Sequence, residues 1–497
     1  MLENSTKRIP DKIAVKEGAT AVSYCQLSDR SRRIGTCLAN KQVRLSPVGV
    51  FMEKGIDAVS SFFGIVYAGA FYSMLNPELP DHRLQQIQSI LQAKIIITNA
   101  QMLERAKVLF PQQEIVQVED ALHTPVDTEL LEGIRERAID TDPLYINFTS
   151  GSTGVPKGIA VAHRSVLDFI GYFTKLFSVT EDDVIANQAP FDFDVSVKDI
   201  YSSICTGATL VIVPRELFSA PVKLIDCLCE NCITTMIWAV SALCLISTFH
   251  GLDYRTPETV NKILFSGEVM PYKHLCEWRN HLPEAMFVNL YGPTEITCNC
   301  TYHILEKDRD YAEGIPIGKA FPNEDVFLLK DQKERITEAG QSGMIVVRGT
   351  ALALGYYRMP EKNAQSFIQN PLNPDYPETV YLTGDLGQYN EQGELVFCGR
   401  ADNQIKYMGH RIELEEIERS MAAIEGVERC ICVFDEKKQR LKGFYVGSIE
   451  KNELHSIMKN TLPPFMIPGY IRQIEQIILT KNGKLDRKKT IELIGGR

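Results

Sequence analysis

The chain has 497 residues, 53 Lys and Arg against 63 Asp and Glu, and a formal net charge of −10 at pH 7. This length allows a large core and more than one domain, while the acidic balance excludes a nucleic-acid binder that works by bulk attraction. The first residues lack the apolar stretch of a secretory signal and no apolar run is long enough to span a bilayer, so thirteen cysteines predict reduced thiols, a cytoplasmic location and no membrane insertion.

From about residue 12 to 300, short β-rich runs alternate with helical patterns. Candidate strands are 48–52, 94–98, 144–148, 183–186, 208–213, 234–238, 262–265 and 286–290, with helical stretches such as 81–91 and 165–176 between them. Most of these strands are continuously apolar, as strands covered on both faces are. The alternation predicts α/β layers with largely parallel sheets. Ligands in such folds sit beyond the carboxyl ends of strands. Three of the strands end in loops with chemistry, at 187–194, 266–268 and 291–295.

From about 315 to 400 the texture changes to short strands punctuated by Gly, at 325–329, 344–348 and 394–397, which predicts a small β-rich subdomain. Gly399 to Gln404 is a polar break. The run 412–418 has helical spacing and an acidic first turn, as the helix macrodipole prefers. The remainder mixes α and β patterns and is large enough for a small domain. The predicted organisation is a core of 1–401, with the β-rich subdomain inside it, and a C-terminal domain of 402–497.

Cys227, Cys229 and Cys232 invite a metal reading. They lie in an amphipathic helix pattern running into a strand, and no second cluster with ligand spacing stands nearby in sequence, so small buried hydrophobes are the expectation. Cys298 with Cys300, and Cys430 with Cys432, alternate as strand residues do and receive the same reading.

The chain is organised around Phe148-Thr149-Ser150-Gly151-Ser152-Thr153-Gly154-Val155-Pro156-Lys157-Gly158. An apolar strand precedes it. Glycines let backbone N–H groups approach an anion, hydroxyls add donors, and Lys157 adds a point charge, which is a phosphate-cradling arrangement. It is not a Walker P-loop, because Pro156 precedes Lys157 and Gly158 follows it.

With this loop, the stretches 289–295, 381–385, 399–418 and 480–488 resemble, in order and over nearly the whole chain, the motifs of the adenylate-forming enzymes. That superfamily includes acyl- and aryl-CoA synthetases, luciferases and the amino-acid adenylation domains of nonribosomal peptide synthetases. The chain is most similar to the last group, including stand-alone amino acid–carrier-protein ligases of the D-alanine-activating kind. The resemblance implies a mobile C-terminal domain and two reactions. A carboxylate first attacks the α-phosphorus of MgATP, giving an acyl-adenylate and pyrophosphate. A thiol then attacks the adenylate carbonyl and releases AMP.

The same resemblance implies residue roles. Thr149, Ser150, Gly151, Ser152, Thr153, Gly154 and Lys157 would hold the ATP phosphates, with Thr294 beside them. Glu295 would be linked to Mg²⁺, which suits a hard oxygen ligand. Tyr291 would stack on adenine, and Asp385 and Arg400 would contact the ribose. Lys484 would be the catalytic lysine, Asp402 the pivot of a domain rotation, and Gly409 the point where a pantetheine arm passes closely. Asp194 in Phe193-Asp194-Val195-Ser196 would bind the ammonium of an amino acid substrate, with Asp192 a nearby rival. The side-chain pocket would comprise Val195, Lys198, Ile237, Leu264, Ser266, Leu290, Cys298 and Asn299. Lys198 is its unusual member: it could pair with an acidic substrate side chain, pair with Asp194 one helical turn away, or reach solvent, while the other, mostly apolar positions favour a small or medium neutral residue. Met344 and Asn76 stand where Glu and Asp are usual in the family, at positions without chemistry. No carrier-protein motif follows Lys484, so the expected thiol is that of a separate carrier protein with a phosphopantetheine arm. The alternatives are free CoA as acceptor, or a non-catalytic nucleotide-binding relative.

Overall fold

The computed structural model describes residues 1–151, 155–401, 404–435, 438–478 and 489–490. The chain divides into two compact units. The first comprises Met1–Pro77, Gln88–Phe148 and Gly158–Ala401; the second comprises Glu78–Ile87, Thr149–Lys157 and the described residues of Asp402–Arg497. The sequence reading assigns everything before 402 to one domain, whereas here the phosphate-loop segment groups with residues that follow 402.

A nine-stranded sheet runs in the order Lys319–Ala320, Thr301–Ile304, Met286–Tyr291, Lys262–Ser266, Thr235–Ala239, Val184–Asn187, Thr209–Ile212, Ile13–Glu17, Thr20–Ser23. Its central pairings are parallel and its edges antiparallel. A seven-stranded sheet contains Gly355–Tyr356, Lys157–Ala162, Pro143–Thr149, Phe71–Met74, Pro47–Phe51, Ile95–Thr98 and Glu114–Gln117. Thr235–Ala239 and Ile95–Thr98 are buried along their whole length, which is why their sequences are nearly continuous apolar runs rather than alternating ones. One hydrophobic core joins both sheets through Phe62 and Ile65 of helix Ile56–Tyr67 and Val197, Ile200 and Ile204 of helix Val195–Thr206.

A separate antiparallel sheet of six strands spans Glu324–Lys330 to Leu395–Arg400 and packs Leu328, Ile345, Val347, Tyr381 and Leu395 together. Its longest strand, Thr379–Tyr389, carries Asp385. In the second unit, strands Gln404–Tyr407 and His410–Glu413 pair as a hairpin, and a three-stranded sheet packs on helices Leu414–Ala422 and Lys451–Thr461 through Ile417, Met421, Tyr445, Leu454 and Met458.

Two sequence expectations are corrected. Ile412 and Glu413 are strand residues, held by pairing with Ile405 and Gln404, and the helix begins at Leu414 with Glu415 and Glu416 in its first turn. Cys298 and Cys300 are not in a strand: Thr297 and Cys298 are consecutive non-glycine residues in the left-handed region, at φ 51° and 76°, so the chain turns there. Cys227 and Cys229 lie in helix Pro221–Glu230 but are only half-buried, and Cys232 after it is exposed, so these three are not the buried hydrophobes expected; Cys430 and Cys432 are buried in strand Val427–Asp435. Among the described residues, no group of three or more His, Cys, Asp or Glu side chains is placed to hold a metal ion by itself. Among them, no helix is long and apolar enough to cross a membrane.

Candidate active site

Strands Val184–Asn187, Thr235–Ala239, Lys262–Ser266 and Met286–Tyr291 are consecutive parallel neighbours. Their carboxyl ends therefore open on one sheet edge, where all three loops singled out in the sequence begin. The site residues of the first unit gather there and on the adjoining six-stranded sheet.

Asp385 is fully buried, and its register partner across the sheet is Arg400. The guanidinium of Arg400 pairs with Asp385 Oδ1, and the Tyr291 hydroxyl donates to Asp385 Oδ2 at 2.6 Å. Burial and the neighbouring carboxylate push the Tyr291 phenol well above its ordinary pKa, so it remains a donor. The backbone N–H of Asp385 donates to Thr383 Oγ1 at 3.0 Å. Three residues expected to contact adenosine thus form one hydrogen-bonded group.

After Tyr291 the chain enters a short 3-10 turn, Thr294–Ile296. Glu295 is fully buried, and the Tyr356 hydroxyl donates to its Oε1 at 2.7 Å. Thr294 beside it is half-buried. Sequence reasoning missed Tyr356. It stands 61 residues away, and no local pattern links the two.

In the phosphate loop, Ser152, Thr153 and Gly154 lie outside the described residues. The described part is built for close approach. A Cβ on Gly151 would stand 2.1 Å from the Val155 carbonyl oxygen, so only glycine fits at that position. Thr149 Oγ1 is buried without a hydrogen-bond partner among the described residues. Ser150 Oγ donates to the Arg411 carbonyl. Lys157 is buried, with its Nζ 3.5 Å from Glu413 Oε1, and the same oxygen accepts from Gln404 Nε2 at 2.7 Å. Glu416 accepts from the Gly151 backbone N–H and pairs with Arg83 at 2.8 Å; burial still raises its carboxyl above the ordinary range. Carboxylates of this unit therefore rest on two anion donors of the loop, the Lys157 ammonium and the Gly151 N–H. None of Arg83, Glu413 and Glu416 was picked out as a site residue from sequence.

Asp402 and Lys484 also lie outside the described residues. Gly409 is described. It follows Met408 in a two-residue hairpin loop, both at positive φ (52° and 79°), the geometry of a type I′ turn that favours glycine.

Asp194 precedes helix Val195–Thr206 and is half-buried. The rival Asp192 accepts from Asn76 Nδ2 at 3.1 Å, and burial pushes its carboxyl up to about 6. Ser196 Oγ donates to the Phe193 carbonyl at 2.6 Å and fixes the turn into the helix. Ile237 and Leu264 are register neighbours on adjacent strands, as are Ser266 and Leu290, and all four are buried. The left-handed turn at Thr297 and Cys298 brings Cys298 to the helix start, where its thiol donates to the Asp194 carbonyl at 3.0 Å. Lys198 is fully buried; its Nζ donates to Asn299 Oδ1 at 2.6 Å and to Ser266 Oγ at 3.4 Å. It does not reach solvent and its hydrogen bonds go to neutral oxygens, while the Asp194 and Asp199 carboxylates and the Cys298 thiol nearby favour its charged form. Val195, half-buried, begins the helix beside them.

The chain belongs to the AMP-binding enzyme family, whose pattern matches residues 2–357. This membership agrees with the resemblance read from the motifs. The chain is 31% identical over 494 residues to part of bacitracin synthase 1 of Bacillus licheniformis, covering 98% of this chain and 9% of that protein. It is 30% identical over 510 residues to zwittermicin A synthase ZmaJ of Bacillus cereus, covering 100% of this chain and 94% of that protein. Its fold is like that of the Vibrio cholerae adenylation domain AlmE, solved with glycyl-adenosine-5′-phosphate, with a TM-score of 0.86, 24% identity and coverage of 100% and 97% of the two chains. The chain thus spans about a tenth of one curated relative and nearly the whole of another.

Proposed function

We propose that the protein activates an amino acid with ATP as its aminoacyl-adenylate and passes the aminoacyl group to the phosphopantetheine thiol of a separate carrier protein. The observation that carries this reading is a single turn. Between Thr294 and Asn299 the chain sets Glu295 against Tyr356 and sets Cys298 and Asn299 against Asp194 and Lys198. A nucleotide held on one side of this turn and an acid held on the other would bring their reacting atoms together, which is the main requirement of the first step.

In this reading Asp385 and Arg400 take the ribose and Tyr291 the adenine. Thr149, Ser150, Gly151 and Lys157, with Ser152, Thr153, Gly154 and Thr294, take the phosphates. The unpartnered Thr149 hydroxyl and the Lys157 ammonium fit that load. Glu295 fits Mg²⁺: one buried hard-oxygen donor is what this ion takes from a protein when phosphates supply other ligands. Bound there, the ion would neutralise charge on the departing pyrophosphate. Asp194 holds the substrate ammonium, and Lys484 bridges the attacking carboxylate and the α-phosphate. The carboxylate oxygen bonds to the α-phosphorus as the bond to pyrophosphate breaks. After rotation at Asp402, with Gly409 near the pantetheine arm, the thiolate displaces AMP from the carbonyl carbon.

ATP–pyrophosphate exchange across L- and D-amino acids, aryl acids and fatty acids tests this. Exchange that depends on an amino acid is expected. Exchange only with acids that lack an amine, together with turnover on free CoA, would move the protein to the CoA synthetases.

A further inference from the structure

We propose that the amino acid taken by this site carries a carboxylate on its side chain, held by Lys198. The inference rests on the amino-acid reading above and deepens it.

Lys198 has no exposed surface, and two neutral oxygens, Asn299 Oδ1 and Ser266 Oγ, are its hydrogen-bond acceptors. No carboxylate of the described residues lies within ion-pair reach of it. A buried ammonium without a counter-ion is unfavourable, and proteins keep buried charges paired. The nearby acids favour the cation electrostatically without bonding to it. Asp199, next in sequence, accepts from Asn187 Nδ2 at 2.8 Å, and burial pushes its carboxyl up to about 8, so it is mostly neutral at pH 7. The Cys298 thiol is pushed well above its ordinary pKa by burial, and donates to the Asp194 carbonyl. Asp194 itself stands one helical turn before Lys198 and favours its charge without being one of its hydrogen-bond acceptors.

An anion and a cation therefore stand on neighbouring turns of one helix, at the open ends of parallel strands. An amino acid with a second carboxylate matches both: its ammonium to Asp194 and its side-chain carboxylate to Lys198. The surrounding walls, Ile237, Leu264 and Leu290, are apolar and buried. They would exclude water and strengthen the pairing. Burial lowers the Lys198 pKa, and a carboxylate brought beside it would favour the cation further than Asp194 and Asp199 do.

The test compares exchange kcat/KM for glutamate and aspartate, in both stereochemical forms, with glutamine, asparagine, alanine, leucine, lysine and an aryl acid, using the full chain and MgATP. An acidic amino acid should exceed its own amide by roughly 100-fold or more, the loss expected when a buried pair is deprived of one partner. Lys198→Met should bring that ratio close to one. The wild-type ratio stands by itself if the variant does not fold. Preference for a neutral or basic amino acid, with acids no better than their amides, would overturn this proposal and leave amino-acid activation standing. Exchange confined to acids without an amine, or none with any acid, would overturn the activation reading, and this proposal with it.

Discussion

Two buried lysines show how the protein treats charge in two regions. Lys157, in the phosphate-loop segment, has Glu413 3.5 Å away, with Gln404 on the same oxygen. Lys198, in the strand-end pocket, has only the amide oxygen of Asn299 and the hydroxyl of Ser266. In the first region the chain supplies a carboxylate where phosphate is expected to bind. In the second the direct acceptors are neutral, and the Asp194 and Asp199 carboxylates act on the lysine without bonding to it. A cation satisfied by its own chain can hold a structure without ligand. One surrounded by neutral acceptors and apolar walls is poised for a charge that comes from outside.

This contrast can be broken or sharpened by substitution. The largest effect is expected at the pocket's anion. Asp194→Ala should lower amino-acid-dependent exchange by about 3 kcal/mol in transition-state binding, roughly 100-fold in kcat/KM, because the substrate ammonium would be buried without a partner. Retained activity would remove Asp194 from the site.

A smaller effect concerns Asp199, next to Lys198 in sequence. Its carboxyl moves from the ordinary 3.8 up to about 8 on burial. The folded chain therefore keeps a proton that the unfolded chain releases, and stability should fall as pH rises from about 4 through 8. Asp199→Asn should remove this slope, so the variant gains on the wild type by up to about 1.4 kcal/mol per pH unit near neutrality. Chemical denaturation at pH 6, 7 and 8 reads it, and parallel declines in both proteins would contradict it.

The smallest effect is the contrast itself. A double-mutant cycle on Lys157→Met and Glu413→Gln should show a coupling of about 1 kcal/mol, whereas Lys198→Met with Asp194→Asn should couple by less than about 0.5 kcal/mol. Equal couplings would erase the distinction.

The interior of the fold was legible because its strands are covered on both faces: Lys262–Ser266 and Met286–Tyr291 read as apolar runs and are buried. Short edge strands such as Thr20–Ser23 and Glu114–Gln117 were not read, since half-exposed residues break the pattern. Cys298 and Cys300 alternate as a strand would. Their actual geometry depends on left-handed backbone at Thr297 and Cys298, which neither residue type announces. Ile412 and Glu413 have helical spacing but are taken by the hairpin, a case of pairing overriding local pattern. In the site, the motif residues were readable one by one, but their partners were not. Tyr356 on Glu295 and Glu413 on Lys157 stand 61 and 256 residues apart in sequence. Lys198 was visible as a cation, but only the fold shows that it is out of solvent and bonded to Asn299 and Ser266.

The most direct test of the account is to incubate the full chain with MgATP and an equimolar mixture of amino acids and simple carboxylic acids, quench, and identify by mass spectrometry the acid joined to AMP. The account predicts an aminoacyl-adenylate whose acid bears both an amine and a side-chain carboxylate. An adenylate of an acid without an amine would contradict it.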